Sequence, residues 1–224
     1  MVEIGFEWYR SYAARYSEVS NQYLQSEYHD SSDNRLTHDR DVLRRTQELA
    51  PGRHGLDVGC GPGARDVAAF VAAGYDMIGV DAVAEGLELA VALHPTLAGR
   101  LICHDLRDGI PFGDSEFDFV TCNSVIQHFE RQEVFDTVLP EIVRVVKPGG
   151  ICLLHFKYGS GIWTVLDPEY DTERHFRLYD PDEVVEFFRS YGFGVVPSAG
   201  GRLGGVIRAR DTKNCPECIV WFQS

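Results

Sequence analysis

Residues 56–63 read Leu56-Asp57-Val58-Gly59-Cys60-Gly61-Pro62-Gly63, a short apolar run that closes on an acid-bearing, glycine-rich turn. Glycines in such a turn let the backbone adopt positive φ and approach a ligand closely. The run predicts a buried strand, Gly55–Val58, and the stretch behind it predicts a helix, Ala64–Ala73. Downstream the texture repeats. Strands are predicted at Asp76–Val80, Arg100–His104, Phe117–Cys122 and Ile151–Lys157, with helices at Ala84–His94 and Arg131–Val146 between them. Pro140 opens a second segment of the last helix, because proline fits a helix's first turn and not its interior. Strands alternating with helices indicate βαβ units, hence an α/β fold with a parallel, doubly wound sheet. In such a sheet the glycine turn lies at the carboxyl ends of the strands, where ligands bind.

Both flanks depart from this rhythm. Upstream, residues 1–50 are polar, aromatic and helical in pattern, with Ile4, Trp8, Tyr9, Tyr12 and Tyr16 at helical spacing and a second helix, Asp41–Leu49, running to Pro51-Gly52. Downstream, an aromatic and charged stretch, Tyr158–Tyr179, precedes a helix at Pro181–Tyr191 and strands at Phe193–Val196, Val206–Ala209 and Cys218–Phe222. These can complete the sheet with an antiparallel edge. The expected organisation is one domain over 1–224: a helical cap (1–50), a core (51–157), a lid or substrate segment (158–180) and a C-terminal helix with strands (181–224). Its length of 224 residues and its 44% hydrophobic and 25% charged content suit one elaborated globular domain.

The net charge of −13 excludes classes of partner. A duplex binder needs a basic patch to neutralise phosphates, and an anionic membrane surface makes the same demand. No apolar run approaches the ~20 residues that span a bilayer, and the opening MVEIGFEWYRSYAARYSE lacks the parts of a signal peptide. A cytoplasmic protein is expected. Cys60, Cys103, Cys122 and Cys152 sit in or beside apolar runs and read as small core residues. Cys215 and Cys218 form a lone CPEC with no second Cys or His pair nearby, so neither a zinc site nor any other metal is expected.

Acids punctuate the predicted strand ends. Asp81 closes Ile78-Gly79-Val80-Asp81, 18 residues past Gly63, where a carboxylate can accept two hydrogen bonds from a ribose diol. His104-Asp105-Leu106 closes the next, and an acid there can accept a hydrogen bond from an exocyclic amine. Phe117–Val120 leads into Thr121-Cys122-Asn123-Ser124-Val125-Ile126-Gln127-His128, and Lys147-Pro148-Gly149-Gly150 turns into the fifth strand. The ordered set LDVGCGPG, GVD, HDL, FDFVTCNSVIQHF and RVVKPGG resembles the class I S-adenosylmethionine-dependent methyltransferases, closely over about residues 50–157 and loosely to 224.

That resemblance implies a Rossmann-like, seven-stranded sheet of order 3-2-1-4-5-7-6 with strand 7 antiparallel. It implies S-adenosylmethionine as cofactor and S-adenosylhomocysteine as product. Asp57, Gly59, Gly61 and Gly63 would surround the methionyl part, and Asp81 with Ala82 would take the ribose. Asp105 and the Leu106 backbone would meet adenine, Asn123 would line the site, and Tyr16 would close over the cofactor. A nicotinamide-binding turn wants G-x-G-x-x-G, whereas here the third glycine falls one position early and Pro62 removes an N–H that a pyrophosphate could use.

Methyl transfer asks the protein chiefly to align donor and acceptor, and a hydroxyl or protonated nitrogen also needs a base. His128, just after the fourth strand, is the candidate base, or else a histidine that shapes the pocket. His155 and His104 read as wall residues, and His29, His38, His54, His94 and His175 show no metal-ligand spacing. Aromatic residues of the two flanks, Tyr12, Tyr158, Trp163 and Phe176 among them, can enclose an acceptor, with Gly159-Ser160-Gly161 as a hinge. The expected activity is transfer to an oxygen or nitrogen of a neutral or cationic small molecule by a monomer or homodimer, without nucleic acid or membrane partners. Protein or RNA methylation, or a cofactor-binding subunit without turnover, are the alternatives.

Overall fold

The computed structural model describes residues 6–23 and 27–224; Ile4 lies outside them, and the side chains of Phe6 and Tyr23 are not described. In chain order its strands are β1 (His54–Val58), β2 (Asp76–Asp81), β3 (Leu101–Cys103), β4 (Phe117–Asn123), β5 (Val146–Lys157), β6 (Ile162–Asp167), β7 (Thr172–Arg177), β8 (Gly194–Val195), β9 (Ile207–Arg210) and β10 (Pro216–Gln223). The main sheet runs β3-β2-β1-β4-β5-β10-β8, with β10 antiparallel to β5. This is the expected order with one strand added. β9 joins the same β10 at residues 216–219 while β8 joins it at 222–223. Gly200, Gly201 and Gly205, all at positive φ, let the intervening loop turn so that both short strands share one edge.

Apolar side chains cover both faces, as a parallel sheet requires. On β5, Cys152, Leu154 and Phe156 pack into one core while Ile151 and Leu153 face the other. On β10, Val220 and Phe222 join the first core, and Ile219 and Trp221 the second. Helices α4 (Arg65–Ala72) and α5 (Ala84–Leu93) form the crossovers. The third crossover is α6 (Arg131–Glu133), a π turn at Val134–Val138, and α7 (Leu139–Val145), so Pro140 does sit in the first turn of a segment. α8 (Pro181–Ser190) begins on an Asp180 cap.

The N-terminal flank is helical as expected, while the stretch after β5 departs from its sequence reading. The stretch expected as a lid is a β-hairpin: β6 and β7 pair in antiparallel register from Ile162↔Arg177 to Asp167↔Thr172. Charged side chains on both faces of Thr172–Arg177 hide the strand's period of two. The N-terminal aromatic stretch forms α1 (Phe6–Ser11) and α2 (Ala13–Tyr23), which lie over the carboxyl end of the sheet, and α3 (Asp39–Leu49) covers its flank. Thr46 on α3 accepts the Trp221 indole N–H at 2.9 Å, fastening that helix to β10.

Candidate active site

The turn between β1 and α4 is held by its own backbone. Gly59 and Cys60 donate to the Val80 carbonyl at 2.8 and 3.0 Å, and Gly61 donates to Asp81 Oδ2 at 2.9 Å. Gly59 and Gly61 take φ of +75° and +68°, and a Cβ on Gly59 would stand 2.5 Å from Val125. Glycine is therefore required at 59 by conformation and by space. Over this turn opens a cleft of about 740 Å³ reached by Asp81, Ala82, Asp105, Leu106, Asn123 and Tyr16. Asp81 Oδ1 accepts from Val83 N–H at 2.9 Å, and the remaining lone pairs of the carboxylate are available to a ligand. Asp105 accepts from the Arg107 backbone at 2.9 Å, and the Arg107 guanidinium is shared between Asp105 and Glu133.

Strand register builds a second cavity, open to solvent and about 1010 Å³ in volume, beside the first. On β5 the face that carries Ile151 and Leu153 continues outward as His155 and Lys157. Because Asn123 pairs with His155 and Glu217 with Lys157, three strands bring their polar ends together. Asn123 Nδ2 donates to Asp66 at 3.0 Å, and His155 Nδ1 meets Asn123 Oδ1 at 2.7 Å. His155 Nε2 lies 3.0 Å from Glu217, whose other oxygen pairs with Lys157, and Lys157 reaches Asp211 at 3.1 Å. Arg65 answers Asp39 at 2.9 Å and Asp66 at 3.3 Å. Burial raises the pKa of Glu217 despite the Lys157 and His155 charges that oppose the shift. Asp57 is buried at the inner end with Thr121 Oγ1 donating at 2.7 Å. Burial and the neighbouring Asp66 push it up to about 8.

A roof of residues that the sequence reading had not joined covers the meeting of the two cavities. Arg174 on β7 donates to Asp167 at 3.0 Å and to the Tyr9 hydroxyl, and its guanidinium lies 4.3 Å from the Trp8 ring centroid and 4.8 Å from that of Phe176. It thereby binds α1 to the hairpin. Arginine is only a donor, so Tyr9 accepts from Arg174 and gives its own proton to His128 Nε2, 2.7 Å away. His128 is thus a neutral ring that also holds a backbone hydrogen bond at Ser124. Burial, with the Arg174 and Lys157 charges, drives its pKa well below the ordinary histidine value.

Comparison with known proteins identifies the scaffold. A family model described as "Methyltransferase domain" matches residues 56–154. An uncharacterised methyltransferase of Synechocystis is 30% identical over 174 residues, covering 74% of this chain and 79% of that relative. The chain belongs to the class I S-adenosylmethionine-dependent methyltransferases. Among solved structures, a [4+2]-cyclase, SpnF, aligns with a TM-score of 0.65 at 17% identity, over 97% of this chain and 94% of that one. Magnesium protoporphyrin IX methyltransferase of Synechocystis with bound SAH aligns with a TM-score of 0.60 at 16% identity, over 83% and 80%. These two likenesses speak for the fold alone.

The methyltransferase cofactor suits the first cleft on chemical grounds. Asp81 and Asp105 line it, the Arg107 guanidinium at its edge is already shared between two carboxylates, and Asp57 lines the adjoining cavity. Such a cleft repels a pyrophosphate and favours a cationic ligand. Asp57 is buried with the Thr121 hydroxyl as its side-chain donor among the described residues, and an α-ammonium group would give it a facing cation. Of the sequence-derived candidates, the structure gathers Gly59, Gly61, Asp81, Ala82, Asp105, Leu106, Asn123, Tyr16 and His128 around the first cleft. Asp57, Gly63 and Phe176 line the second cavity.

Tyr12, Tyr158 and Trp163 line neither cavity. Tyr12 stacks on Trp8 at 4.7 Å, behind the roof, and Tyr158 bridges to Tyr179 at the hairpin's base. Trp163 pairs with Phe176 across the hairpin, which places the two on one face, with Phe176 nearer the sheet. Arg174, Lys157, Asp211 and Glu217 were missed, because charged residues far apart in sequence carry no local signal. The CPEC pair is two free, buried thiols, which burial pushes up to about 11 at Cys215 and about 12 at Cys218. Among the described residues no trio of His, Cys, Asp or Glu could hold a metal, and no helix is long and apolar enough to cross a membrane.

Proposed function

We propose that this methyltransferase transfers a methyl group to an oxygen or nitrogen of a small-molecule acceptor, with residues 1–224 acting as one catalytic unit, monomeric or homodimeric. The observation that carries this reading is the meeting of two cavities at Tyr9, Tyr16, Asn123, Ser124 and His128. One cavity suits the donor and the other the acceptor, and no broad basic surface is needed to fill either. S-adenosylmethionine, when bound, supplies a methyl carbon already activated by its sulfonium.

The chain's own residues supply position. Asp57 and the glycines 59, 61 and 63 hold the methionyl part, Asp81 and Ala82 the ribose, and Asp105 with Leu106 the adenine. Tyr16 lies against the glycine turn, its ring 3.4 Å from where a Gly61 Cβ would stand, and closes the cleft from above. Asn123, fixed between Asp66 and His155, sets the wall at the point of transfer. The Tyr9, Arg174 and Phe176 roof excludes water, and holding two reactants aligned in this way contributes ~7–11 kcal/mol. Because Tyr9 occupies the His128 lone pair, we assign His128 to holding Tyr9 in place and not to free proton abstraction.

Calorimetry with S-adenosylmethionine and S-adenosylhomocysteine tests the reading. Both are expected to bind, and Asp81→Ala is expected to weaken each at least ~10-fold, about 1.4 kcal/mol, by removing a charged hydrogen-bond acceptor. An unmutated protein that binds neither refutes it.

A further inference from the structure

The second cavity says more about the acceptor than its size. Five carboxylates line it: Asp39, Asp57, Asp66, Asp211 and Glu217. Of the four cations on the same wall, Arg174 and Lys213 are engaged by Asp167 and Glu169, which stand outside the lining. Arg65 is divided between Asp39 and Asp66, and Lys157 between Asp211 and Glu217. Each remaining cation is therefore shared between two acids, and the carboxylates on this wall outnumber the cations that answer them. A buried carboxylate without a full partner is costly, and a ligand that brings a cation relieves it.

A second observation points the same way. Gln127, 1% exposed, lines this cavity, and its Oε1 is buried with no hydrogen-bond partner among the described residues. An orphaned acceptor oxygen in a native interior calls for a donor from outside the chain. An anion has no proton to give and would face Glu217 and Asp211. An ammonium group has several protons and carries the missing charge.

We propose that the methyl acceptor is a compact primary or secondary amine, bound as its ammonium by Glu217 and Gln127. This rests on the methyl-transfer reading above and narrows its oxygen-or-nitrogen choice to nitrogen. A protonated amine is not a nucleophile, so one ammonium N–H bond breaks and its proton passes to the Glu217 carboxylate, forming an O–H bond. The freed lone pair then forms the new C–N bond as the donor's C–S bond breaks. The methylated nitrogen keeps the positive charge that the sulfonium gives up. Glu217 is suited to receive the proton, since burial already favours its neutral form.

The test is methyl transfer from methyl-labelled S-adenosylmethionine to a library of small primary and secondary amines, each with its hydroxyl counterpart, run beside calorimetry with S-adenosylhomocysteine. Label is expected in at least one amine and in no hydroxyl counterpart. For that amine Gln127→Leu is expected to raise KM by ~10-fold or more, the loss of one hydrogen bond to a charged group. Its thermal midpoint is expected to hold or rise, because an orphaned oxygen has been removed. Glu217→Gln is expected to lower kcat, with S-adenosylhomocysteine affinity unchanged. Label in a hydroxyl compound, or in none while S-adenosylhomocysteine binds, overturns the amine. So does a Gln127→Leu protein whose KM is unaltered. Failure of S-adenosylhomocysteine to bind overturns instead the reading beneath it.

Discussion

Asp57, proposed to face the cofactor's cationic part, is expected to link cofactor binding to pH. It is buried, with Thr121 as its side-chain donor among the described residues, and burial together with Asp66 raises it to about 8. The folded value lies above that of an unfolded aspartate, ~3.9. Its contribution to stability is therefore complete below that value and is lost as pH rises through about 8. A bound cation inverts this preference, because it stabilises the charged carboxylate. At pH 7 roughly nine in ten unliganded molecules carry the Asp57 proton, and binding must expel it. Two units below its pKa, expulsion costs about 2.7 kcal/mol, a ~100-fold loss of affinity.

S-adenosylmethionine is thus expected to bind about tenfold more tightly per pH unit from 6 to 8, levelling near the Asp57 pKa. Titration calorimetry in two buffers of different ionisation enthalpy reads the proton directly, with close to one released at pH 7. Asp57→Asn is expected to flatten the profile and abolish the release. An affinity constant from pH 6 to 8, with no proton leaving, refutes the argument that Asp57 faces the donor's cationic part.

Three further outcomes follow from the geometry. Arg174→Met leaves buried Asp167 with Lys213 but without its guanidinium and unties α1 from the hairpin; a loss of ~1.5–3 kcal/mol is expected in urea unfolding. Gly59→Ala places a methyl 2.5 Å from Val125 at φ +75°, so ~1–3 kcal/mol of strain and a lower thermal midpoint are expected, with cofactor affinity falling alongside. His128→Gln keeps an acceptor for the Tyr9 hydroxyl, so methyl transfer is expected to stay within ~10-fold of the parent; a loss of ~100-fold or more is what removing a base costs.

The core of the fold was legible because its signals are local. A strand, an acid, a glycine turn and a helix occupy consecutive residues, and each acid at a strand end announces itself at a regular interval along the chain. Pro140 was readable for the same reason, as proline's missing N–H restricts it wherever it stands. The hairpin Ile162–Arg177 was not legible. Thr172–Arg177 alternates charged residues with Arg174 and Phe176, so the inward face of β7 carries a charge where a strand ordinarily shows apolar residues. The guanidinium goes inward only because Asp167, Tyr9 and Trp8 receive it, and those partners come from two other segments.

That contrast explains why the proposed donor side of the site is readable in sequence while the proposed acceptor side emerges only from structure. Apart from Tyr16 on α2, the residues proposed for the donor fall at the ends of β1, β2, β3 and β4 and the loops that follow, so their residue types and spacing are fixed together. The residues proposed for the acceptor fall on α1, β5, the hairpin, the turn before β10 and β10 itself, which meet through register, with Gln127 following β4. Glu217 stands opposite Lys157, and Ile219 opposite His155, because β10 runs antiparallel to β5. Shifting that pairing by one residue would turn Glu217 to the other face and leave Lys157 and His155 buried without it. The acidity first seen as a net charge that excluded polyanions therefore acts locally as well. Here it is five carboxylates, brought to one wall by α3, β1, α4 and the antiparallel β9–β10 pair with its turn. A change in register, more than a change in the glycine turn, would alter which acceptor such a scaffold takes.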